Sequence, residues 1–344
     1  MDPRSIIDDL LEIAIIPSFT RIGPAIRQRV FDWTPPATDS LLARTALITG
    51  PTSGLGRAAT EAIAALGARV ILVGRSEARL ATVRDQLVHR YGIDRYPIVV
   101  ADMGSIASVR AAVDRVLATE TRLDVVIDNA GAIFPERTVG VDGIEATLAT
   151  LVVGPFILER GLMPLLRQTP GSRVISVTSG GMYTQQLDVH DLQYAAGRYN
   201  GSLAYARAKR AQVALMREWA RRGRGSGVTF AAMHPGWADT PGLAESLPAF
   251  HRVMGPLLRT PAEGVDTIVW LAALPDATPW NGRLLLDRRA RPFDRIPSTR
   301  LSAAERRELW DSIVDLSGAS GASGASGASG ASGEATAPRD TDRA

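Results

Sequence analysis

From Thr45 onward, short apolar runs rich in β-branched residues alternate with longer segments whose apolar positions recur at helical spacing. The predicted strands cover residues 45–50, 69–74, 97–101, 125–129, 173–179, 228–233 and 283–287. The predicted helices cover residues 55–66, 76–91, 106–119, 142–168, 202–223, 262–274 and 303–315. Since consecutive parallel strands are joined by right-handed helical crossovers, this alternation predicts an α/β fold built on a doubly wound, seven-stranded parallel sheet.

Two segments flank the predicted domain, which covers residues 43–316. Residues 1–42 carry apolar side chains at helical spacing, with arginines between them and prolines that interrupt the pattern. They predict an amphipathic arm that lies on a membrane surface, guards a substrate entrance, packs on its own domain or contacts a second copy of the chain. Residues 317–344 begin with Ser-Gly-Ala repeats, which cannot bury apolar surface and therefore predict a disordered tail.

Composition excludes several classes of protein. The 39 basic residues are nearly balanced by 36 acidic ones, and no basic patch predicts a nucleic-acid partner. The chain has no cysteine, and its four histidines lack ligand spacing, so no metal site is predicted. Without an 18-residue apolar run or a signal-peptide layout, we expect a cytoplasmic protein, with peripheral membrane contact through the arm as an open alternative.

A glycine-rich turn joins the first predicted strand to the first predicted helix. It reads Thr49-Gly-Pro-Thr-Ser-Gly-Leu-Gly56. Glycine permits a positive φ and a close approach of the backbone, and a helix N-terminus attracts a pyrophosphate. In a strand–turn–helix context these features predict a dinucleotide site. Its residues are Gly50, Thr52, Ser53, Gly54, Leu55 and Gly56.

The residues that follow the second and third predicted strands bear on which dinucleotide is used. A site for NAD places an acidic residue after the second strand, whereas this chain has Arg75 there. Because a guanidinium suits a 2′-phosphate, NADP(H) is favoured over NAD(H). At the end of the third strand, Asp102 either accepts a hydrogen bond from the adenine amino group or caps a helix, and Met103 belongs to the same predicted site.

Lys209 is the only lysine in the chain. Its ammonium is a compact charge with a pKa that shifts readily, unlike the permanently charged guanidinium of arginine. Tyr205 stands four residues earlier, on the same face of a predicted helix. A nearby cation lowers the pKa of a phenol, so the pair predicts a proton donor and acceptor for catalysis.

These motifs, together with others, resemble those of the short-chain dehydrogenase/reductase family. The further motifs are Asp128-Asn-Ala-Gly131, Ser179 at a strand end, and Pro235-Gly236 after the next strand. The resemblance covers about residues 43–290 and implies a Rossmann-type fold. Within the family, the segments V-I-S-V-T-S-G-G-M and H-P-G-W-A-D-T-P-G are most similar to retinol-dehydrogenase-like members, in particular the branch called member 12 and its bacterial relatives.

The resemblance implies a role for each matching residue. Tyr205 is the general acid/base, Lys209 lowers its pKa and binds the nicotinamide ribose, and Ser179 holds the substrate oxygen. Cofactor-binding roles are implied for Asn129, Ala130, Gly131, Tyr205, Lys209, Pro235, Gly236 and Thr240. Members of the family often pair through two long helices, so a homo-oligomer is expected.

The chain departs from the family pattern in two places. Leu151 stands where an asparagine usually holds a water relay, which predicts slower proton supply or a route through Thr150 or another water path. The insert 180–204 lengthens the distance between Ser179 and Tyr205 and predicts a loop over the substrate side. If the apolar residues of 241–258 also cover the site, the substrate is lipophilic; otherwise they pack on the domain.

The pattern therefore favours an NADP(H)-dependent oxidoreductase that interconverts a lipophilic ketone or aldehyde and its alcohol. The alternative is a nucleotide-binding module with weak catalysis and a regulatory or assembly role. The charged cluster of Asp287, Arg288, Arg289 and Arg291 is interpreted as a solvated face.

Overall fold

The computed structural model describes residues 2–92 and 94–318, so most of the predicted tail lies outside the described residues. The strands are β1 (Thr45–Thr49), β2 (Arg69–Gly74), β3 (Ile98–Val100), β4 (Val125–Asp128), β5 (Arg173–Val177), β6 (Thr229–Met233), β7 (Arg283–Leu286) and β8 (Arg289–Arg291). They form one sheet in the order β3-β2-β1-β4-β5-β6-β7-β8. The first seven strands are parallel, which confirms the predicted α/β class and its doubly wound order.

The helices are α1 (Pro3–Ile13), α2 (Ile15–Phe19), α3 (Ile22–Val30), α4 (Gly54–Ala65), α5 (Glu77–Tyr91), α6 (Ile106–Thr119), α7 (Ala146–Leu148), α8 (Gly154–Gln168), α9 (Gly201–Arg222), α10 (Pro241–Ser246), α11 (Pro248–Met254), α12 (Pro261–Ala273) and α13 (Ala303–Leu316). A π-helical turn, Ala149–Val153, joins α7 to α8. Side-chain caps begin several of them: Ser76 caps α5 and Ser105 caps α6. Thr260 begins α12 through a capping box with Glu263.

The core lies on both faces of the sheet. Alternate residues of a strand point to opposite faces, so Leu47 joins the apolar cluster under α6, α8 and α9, while Ala46 and Ile48 join the one under α4 and α12. Helices therefore cover both faces of the central strands. This explains why the strands appear in the sequence as continuous apolar runs without alternation.

The eighth strand was not predicted. β8 pairs antiparallel with β7 through a two-residue turn formed by Asp287 and Arg288. Both residues adopt a left-handed conformation, with φ of 53° and 58°, as a type I′ turn requires. Asparagine and glycine usually occupy these positions, so the sequence here carries no turn signal.

The interpretation of the cluster around Asp287 as a solvated face was wrong for two of its members. Asp287 and Arg291 are buried because the N-terminal helices α1–α3 pack over the β7–β8 hairpin. Arg27 of α3 is fully buried and donates to Asp287 and to Asp8, with both N–O distances at 2.6 Å. The carboxylates that neutralise the hairpin come from the opposite end of the chain, which sequence spacing does not reveal.

One helical segment within the described residues, Ala146–Gln168, is long and apolar enough to cross a membrane. Most of its apolar stretch, 78%, is buried inside the domain, as in the core helix of a globular protein. It lies against α6, and α13 covers the region where it meets α9. Trp310 of α13 packs on Phe156 and Trp219, with ring centroids 5.0 Å and 4.7 Å apart.

Candidate active site

The predicted site residues converge on one edge of the sheet. Because the strands are parallel, their carboxyl ends meet at that edge, where ligands bind in folds of this kind. Gly50 follows β1, Asn129 follows β4, Ser179 follows β5 and Pro235 follows β6. These four strands are neighbours in the centre of the sheet.

The glycine-rich turn is held by the residue that follows β4. Asn129 Nδ2 donates to the carbonyl oxygens of Thr49 (3.0 Å) and Gly50 (3.3 Å). Gly50 has a φ of 69°, a conformation that favours glycine. A Cβ on Gly56 would lie 2.0 Å from the Gly50 carbonyl oxygen, so only glycine fits at position 56. Thr49 Oγ1 accepts from the backbone N–H groups of Asn129 and Ala130.

The start of α4 fits the pyrophosphate of a dinucleotide. Ser53 precedes Gly54 at this start, and its side chain makes no capping hydrogen bond to the first turn. The first N–H groups of the helix are thus left for an anion. Thr240 lies at the same place, since a Cβ on Gly54 would be 3.4 Å from its side chain. Its hydroxyl also caps α10 by accepting from Leu243 N–H at 3.2 Å.

The residues predicted for the adenosine half lie on the neighbouring strand ends. Arg75 follows β2 and is exposed. Asp102 is exposed after β3, and its Oδ1 accepts from Gly104 N–H at 2.9 Å, so the carboxylate stabilises the turn before α6. Met103 is buried. Its carbonyl oxygen lies close to Gly154, because a Cβ on Gly154 would be 2.1 Å from that oxygen.

The three predicted catalytic residues are brought together. Tyr205 and Lys209 lie one turn apart on α9, with the ammonium 5.6 Å from the centroid of the phenol ring. Ser179 lies beside the phenol of Tyr205 and lowers its pKa, and Ser179 Oγ accepts from Gly181 N–H at 3.2 Å. Lys209 Nζ donates to the carbonyl oxygen of Val177 at 2.9 Å. The arrangement has an oxygen-binding hydroxyl, a phenol and a cation at one strand end.

Burial raises the pKa of Tyr205 to about 12, and the hydrogen bond from Ser179 acts in the opposite direction. The expected lowering of this pKa by Lys209 is not seen in this arrangement. The reason is geometric, because the ammonium points at Val177 O rather than at the phenol oxygen. At neutral pH the phenol therefore holds its proton.

Lys209 faces a buried acid that the prediction had not assigned a role. Burial lowers the pKa of Lys209 to about 8, and the nearby Asp128 carboxylate partly opposes this. Asp128 is itself buried, and neither of its oxygens has a hydrogen-bond donor that meets ordinary geometry among the described residues. Burial raises its pKa to about 6, which Glu159 and Lys209 oppose.

Glu159 completes this group. Burial, together with Asp128, raises the pKa of Glu159 well above its usual value, so the buried pair favours a proton on Glu159. Glu159 was missed at the sequence level. The available signal was a lone acid among the apolar residues of α8, two helical turns after Leu151.

Leu151 and the Lys209 ammonium both lie close to Gly131. A Cβ on Gly131 would lie 3.1 Å from a Leu151 methyl and 3.8 Å from Lys209 Nζ. The leucine lies in the π-helical turn, a rare conformation that occurs often at functional sites. The hydroxyl of Thr150 lies close to Gly104, where a Cβ would be 3.2 Å from it.

The two segments of the substrate side differ in how they pack. The insert 180–204 begins with a short 3-10 helix, and its apolar side chains are largely buried in the domain. Helices α10 and α11 contribute no buried residue. Phe250 of α11 packs edge-on against Trp237 at a centroid distance of 5.1 Å. Segment 241–258 thus leaves apolar side chains exposed directly after Thr240.

Pro235 is preceded by a buried histidine. His234 packs between Phe19 and Tyr183. Burial and four nearby arginines keep its pKa well below the usual value, so the ring is neutral. Among the described residues, no group of three or more His, Cys, Asp or Glu side chains is arranged to hold a metal ion.

A phosphate-binding turn and a Ser–Tyr–Lys set at the same sheet edge define an NAD(P)-dependent oxidoreductase. The family model described as short chain dehydrogenase matches residues 44–249. The chain therefore belongs to the short-chain dehydrogenase/reductase family, which confirms the resemblance.

Its relatives span nearly the same length. Dehydrogenase/reductase SDR family member 12 of Bos taurus is 36% identical over 277 residues, which cover 80% of this chain and 86% of that protein. Retinol dehydrogenase 14 of Mus musculus is 35% identical over 286 residues, covering 78% and 84%. A solved structure of a candidate NAD(P)-dependent gluconate 5-dehydrogenase from Beutenbergia cavernae, with NADP at low occupancy, is 26% identical with a TM-score of 0.59, covering 72% and 96%.

Proposed function

We propose that this protein is an NADP(H)-dependent oxidoreductase that interconverts a lipophilic ketone or aldehyde and its alcohol. The observation that carries the proposal is the convergence of Ser179, Tyr205 and Lys209 beside the glycine-rich turn. A dinucleotide whose pyrophosphate lies at the start of α4 directs its nicotinamide toward these residues, between Asn129–Gly131 and Pro235–Gly236.

The nicotinamide, when bound, supplies or accepts the hydride. In the reductive direction, Ser179 holds the substrate oxygen by a hydrogen bond and Tyr205 donates the proton to it. A phenol with a pKa of about 12 keeps its proton until charge develops on that oxygen. Lys209 is positively charged at neutral pH. To stabilise the phenolate that remains, its ammonium has to turn from Val177 O toward the phenol oxygen. The oxidative direction reverses these steps.

Two observations support a lipophilic substrate. Segment 241–258, which directly follows Thr240, presents Leu247, Val253 and Leu257 to solvent. One of the relatives is named for retinol, a long apolar alcohol. An apolar wall with a few convergent polar groups is typical of a site for such molecules.

Replacing Tyr205 with phenylalanine tests the proposal. We expect Tyr205→Phe to lower kcat for NADPH-dependent reduction of lipophilic carbonyls at least 1000-fold, because the proton donor is lost. NADPH binding, measured by fluorescence titration, should stay within about twofold of the wild-type value.

Lys209→Arg should also lose most activity, because the forked guanidinium cannot replace the ammonium beside Val177.

The choice of NADP(H) rests on Arg75, which is exposed after β2 where a 2′-phosphate would lie. We expect Arg75→Asp to reverse the preference toward NADH, as measured by the ratio of kcat/KM for the two cofactors. Arg79→Asp, an exposed arginine one turn further along α5, is the matched control and should leave the ratio unchanged. An unchanged ratio in both variants would remove Arg75 from the site.

The second candidate function is a nucleotide-binding module with little catalysis. Leu151 favours it, since an apolar side chain stands near Gly131 where the family pattern has an asparagine. Tight NADPH binding without turnover on a broad panel of aldehydes, ketones and alcohols would select this candidate.

We further propose a cytoplasmic protein that contacts membranes peripherally through its N-terminal helices.

A further inference from the structure

The N-terminal segment reaches the active site through one residue. Phe19, at the end of α2, is buried beside the turn that follows β5. A Cβ on Gly180 would lie 2.4 Å from Phe19 Cε2, and the other two atoms nearest that point also belong to the Phe19 ring. Gly180 directly follows the catalytic Ser179, so the phenyl ring is the reason that this turn requires glycine.

The same residue contacts the turn that follows β6. The Phe19 ring packs on His234 at a centroid distance of 4.8 Å and on Trp237 at 5.6 Å. Its carbonyl oxygen accepts from Trp237 N–H at 2.7 Å. A Cβ on Gly236 would lie 2.6 Å from that oxygen. Phe19 thus contacts both strand-end turns between which the substrate and the nicotinamide would react.

Phe19 is held in place by buried charges. Arg259 donates from Nε to the Phe19 carbonyl oxygen at 3.1 Å and from Nη2 to the Ser18 carbonyl oxygen at 2.6 Å. The same guanidinium forms two hydrogen bonds to Asp287, which also accepts from Arg27. Since these groups are almost fully buried, the backbone around Phe19 has little freedom to move.

We propose that Phe19 is a positioning residue of the active site. Its ring sets the position of the Gly180 turn, and hence of Ser179 Oγ, and its carbonyl oxygen sets the position of the Pro235–Gly236 turn. The N-terminal segment is then part of the catalytic unit rather than an appendage. The inference rests on the proposed function, because Ser179 and the nicotinamide are the groups that are positioned.

A double-mutant cycle at Phe19 and Gly180 tests the proposal. Phe19→Ala should lower kcat about 10–100-fold, because a displacement of about 1 Å in a reacting group has an effect of that size. Gly180→Ala should lower it similarly, since the added methyl collides with the ring. In the Phe19→Ala background the same change should cost at most about twofold, because the ring is gone. Phe19→Leu should recover most of the activity.

A second readout does not depend on turnover. The fluorescence emission of bound NADPH should change in Phe19→Ala, because the turn against the nicotinamide shifts. Ile13→Ala, a change at a side chain of the same segment that is 78% exposed, should alter neither the emission nor kcat. If the wild-type protein reduces no carbonyl but the emission still responds to Phe19→Ala alone, the positioning role stands and the proposed function fails.

Two results would overturn the inference. One is a Phe19→Ala protein that is folded by circular dichroism and has a lowered Tm, but keeps kcat, KM and the emission of bound NADPH within twofold of wild type. Phe19 would then be only a packing residue. The other is a cycle in which the effects of Phe19→Ala and Gly180→Ala multiply. If Phe19→Ala does not fold, Phe19→Leu and Gly180→Ala give the same test in folded protein.

Discussion

Lys209 carries its charge at neutral pH although its surroundings exclude water. Burial lowers the pKa of its ammonium to about 8, and Asp128 prevents a larger fall. A lysine with a lowered pKa is charged below that value and neutral above it. The proposed carbonyl reduction uses this cation to stabilise the phenolate, so its rate should decline as the pH rises through about 8.

Asp128→Asn tests this electrostatic account. The change removes the negative charge that faces Lys209, so the pKa of the ammonium falls further. We expect the alkaline limb of the kcat/KM profile for carbonyl reduction to move about one pH unit or more toward acid, since a nearby opposite charge shifts a pKa by about 1–3 units. The measurement is a set of initial rates between pH 5 and pH 10.

Glu159→Gln is the matched control. Burial and Asp128 raise the pKa of Glu159, which favours its uncharged form, and glutamine is an uncharged side chain of the same shape. The alkaline limb should stay where it is in the wild type. A limb that moves equally in both variants would show that Asp128 does not set the pKa of Lys209.

At the residue scale, the local motifs could be predicted and the distant contacts could not. Tyr205 and Lys209 are neighbours on one helix, so their spacing alone predicts that they share a face. Phe19 meets Gly180 from a distant part of the chain, and no local pattern encodes that contact. Glu159 is similar, because its partner Asp128 comes from another element.

At the element scale, the N-terminal helices are attached to the β7–β8 hairpin by buried ion pairs. Arg27 pairs with Asp8, Glu12 and Asp287, and Asp8 also pairs with Arg291. Removing one member of such a group leaves its partners buried without a counter-charge, which costs far more than losing an exposed ion pair. The attachment of the segment therefore depends strongly on each of these side chains.

Arg27→Met should lower the free energy of unfolding by about 3–5 kcal/mol, measured by urea denaturation. The control is Arg4→Met in the same segment, whose ion pair with Asp32 is exposed and should contribute little.

Arginine hydrogen bonds hold the pKa of Asp8 below its usual value of 3.8, against the effect of burial. The contribution of Asp8 to the free energy of unfolding is thus present at neutral pH and lost as the pH falls below about 4.

The strands of the sheet illustrate which elements a sequence discloses. The seven parallel strands are buried on both faces and appear as apolar runs between helical segments, so periodicity is sufficient to find them. β8 has the sequence Arg-Ala-Arg, and no apolar pattern marks it. Its arginines are accommodated in a strand because the carboxylate of Asp8 pairs with both Arg289 and Arg291. Such a strand depends on tertiary contacts.

At the scale of the whole molecule, the N-terminal helices have two different faces. The inner face is buried on the domain, while large apolar side chains remain exposed on the other. The exposed set is Ile6, Ile7, Leu10, Ile13, Ile15, Ile16 and Ile22. Val253 of α11 and Leu257 of the turn after α11 are also exposed. The backbone N–H of Arg21 donates to Leu257 O, which brings the two groups together. An apolar surface of this kind is typical of an interaction site.

We expect this surface to bind phospholipid vesicles, and anionic ones more strongly, because the exposed Arg4, Arg21 and Arg29 lie in the same segment. A double change, Ile13→Ser with Ile16→Ser, should reduce co-sedimentation at least fivefold. Val141→Ser, at a residue that is 89% exposed elsewhere on the surface, should not. Equal binding by all three proteins would exclude the N-terminal helices as the contact.

The expected homo-oligomer meets a structural obstacle. Helix α9 is buried along most of its length, and α13 packs against it through Trp310 and Trp219. Pairing of two copies through the long helices would require α13 to move away. We therefore expect any self-association to use a different surface, and sedimentation velocity of the wild type and of the Ile13/Ile16 variant would show whether that surface is the N-terminal one.

The joining of the two ends of the chain also sets an order of events during synthesis. Arg27 bonds to a residue 260 positions later, and Asp8 to one 283 positions later. At about 5–20 residues per second, the partner of Arg27 leaves the ribosome roughly 13–50 s after Arg27 itself. During that interval the earliest segment waits undocked, with its isoleucines open to chaperones or lipid. We therefore expect the turns that Phe19 contacts to reach their final positions only after the β7–β8 hairpin has been synthesised.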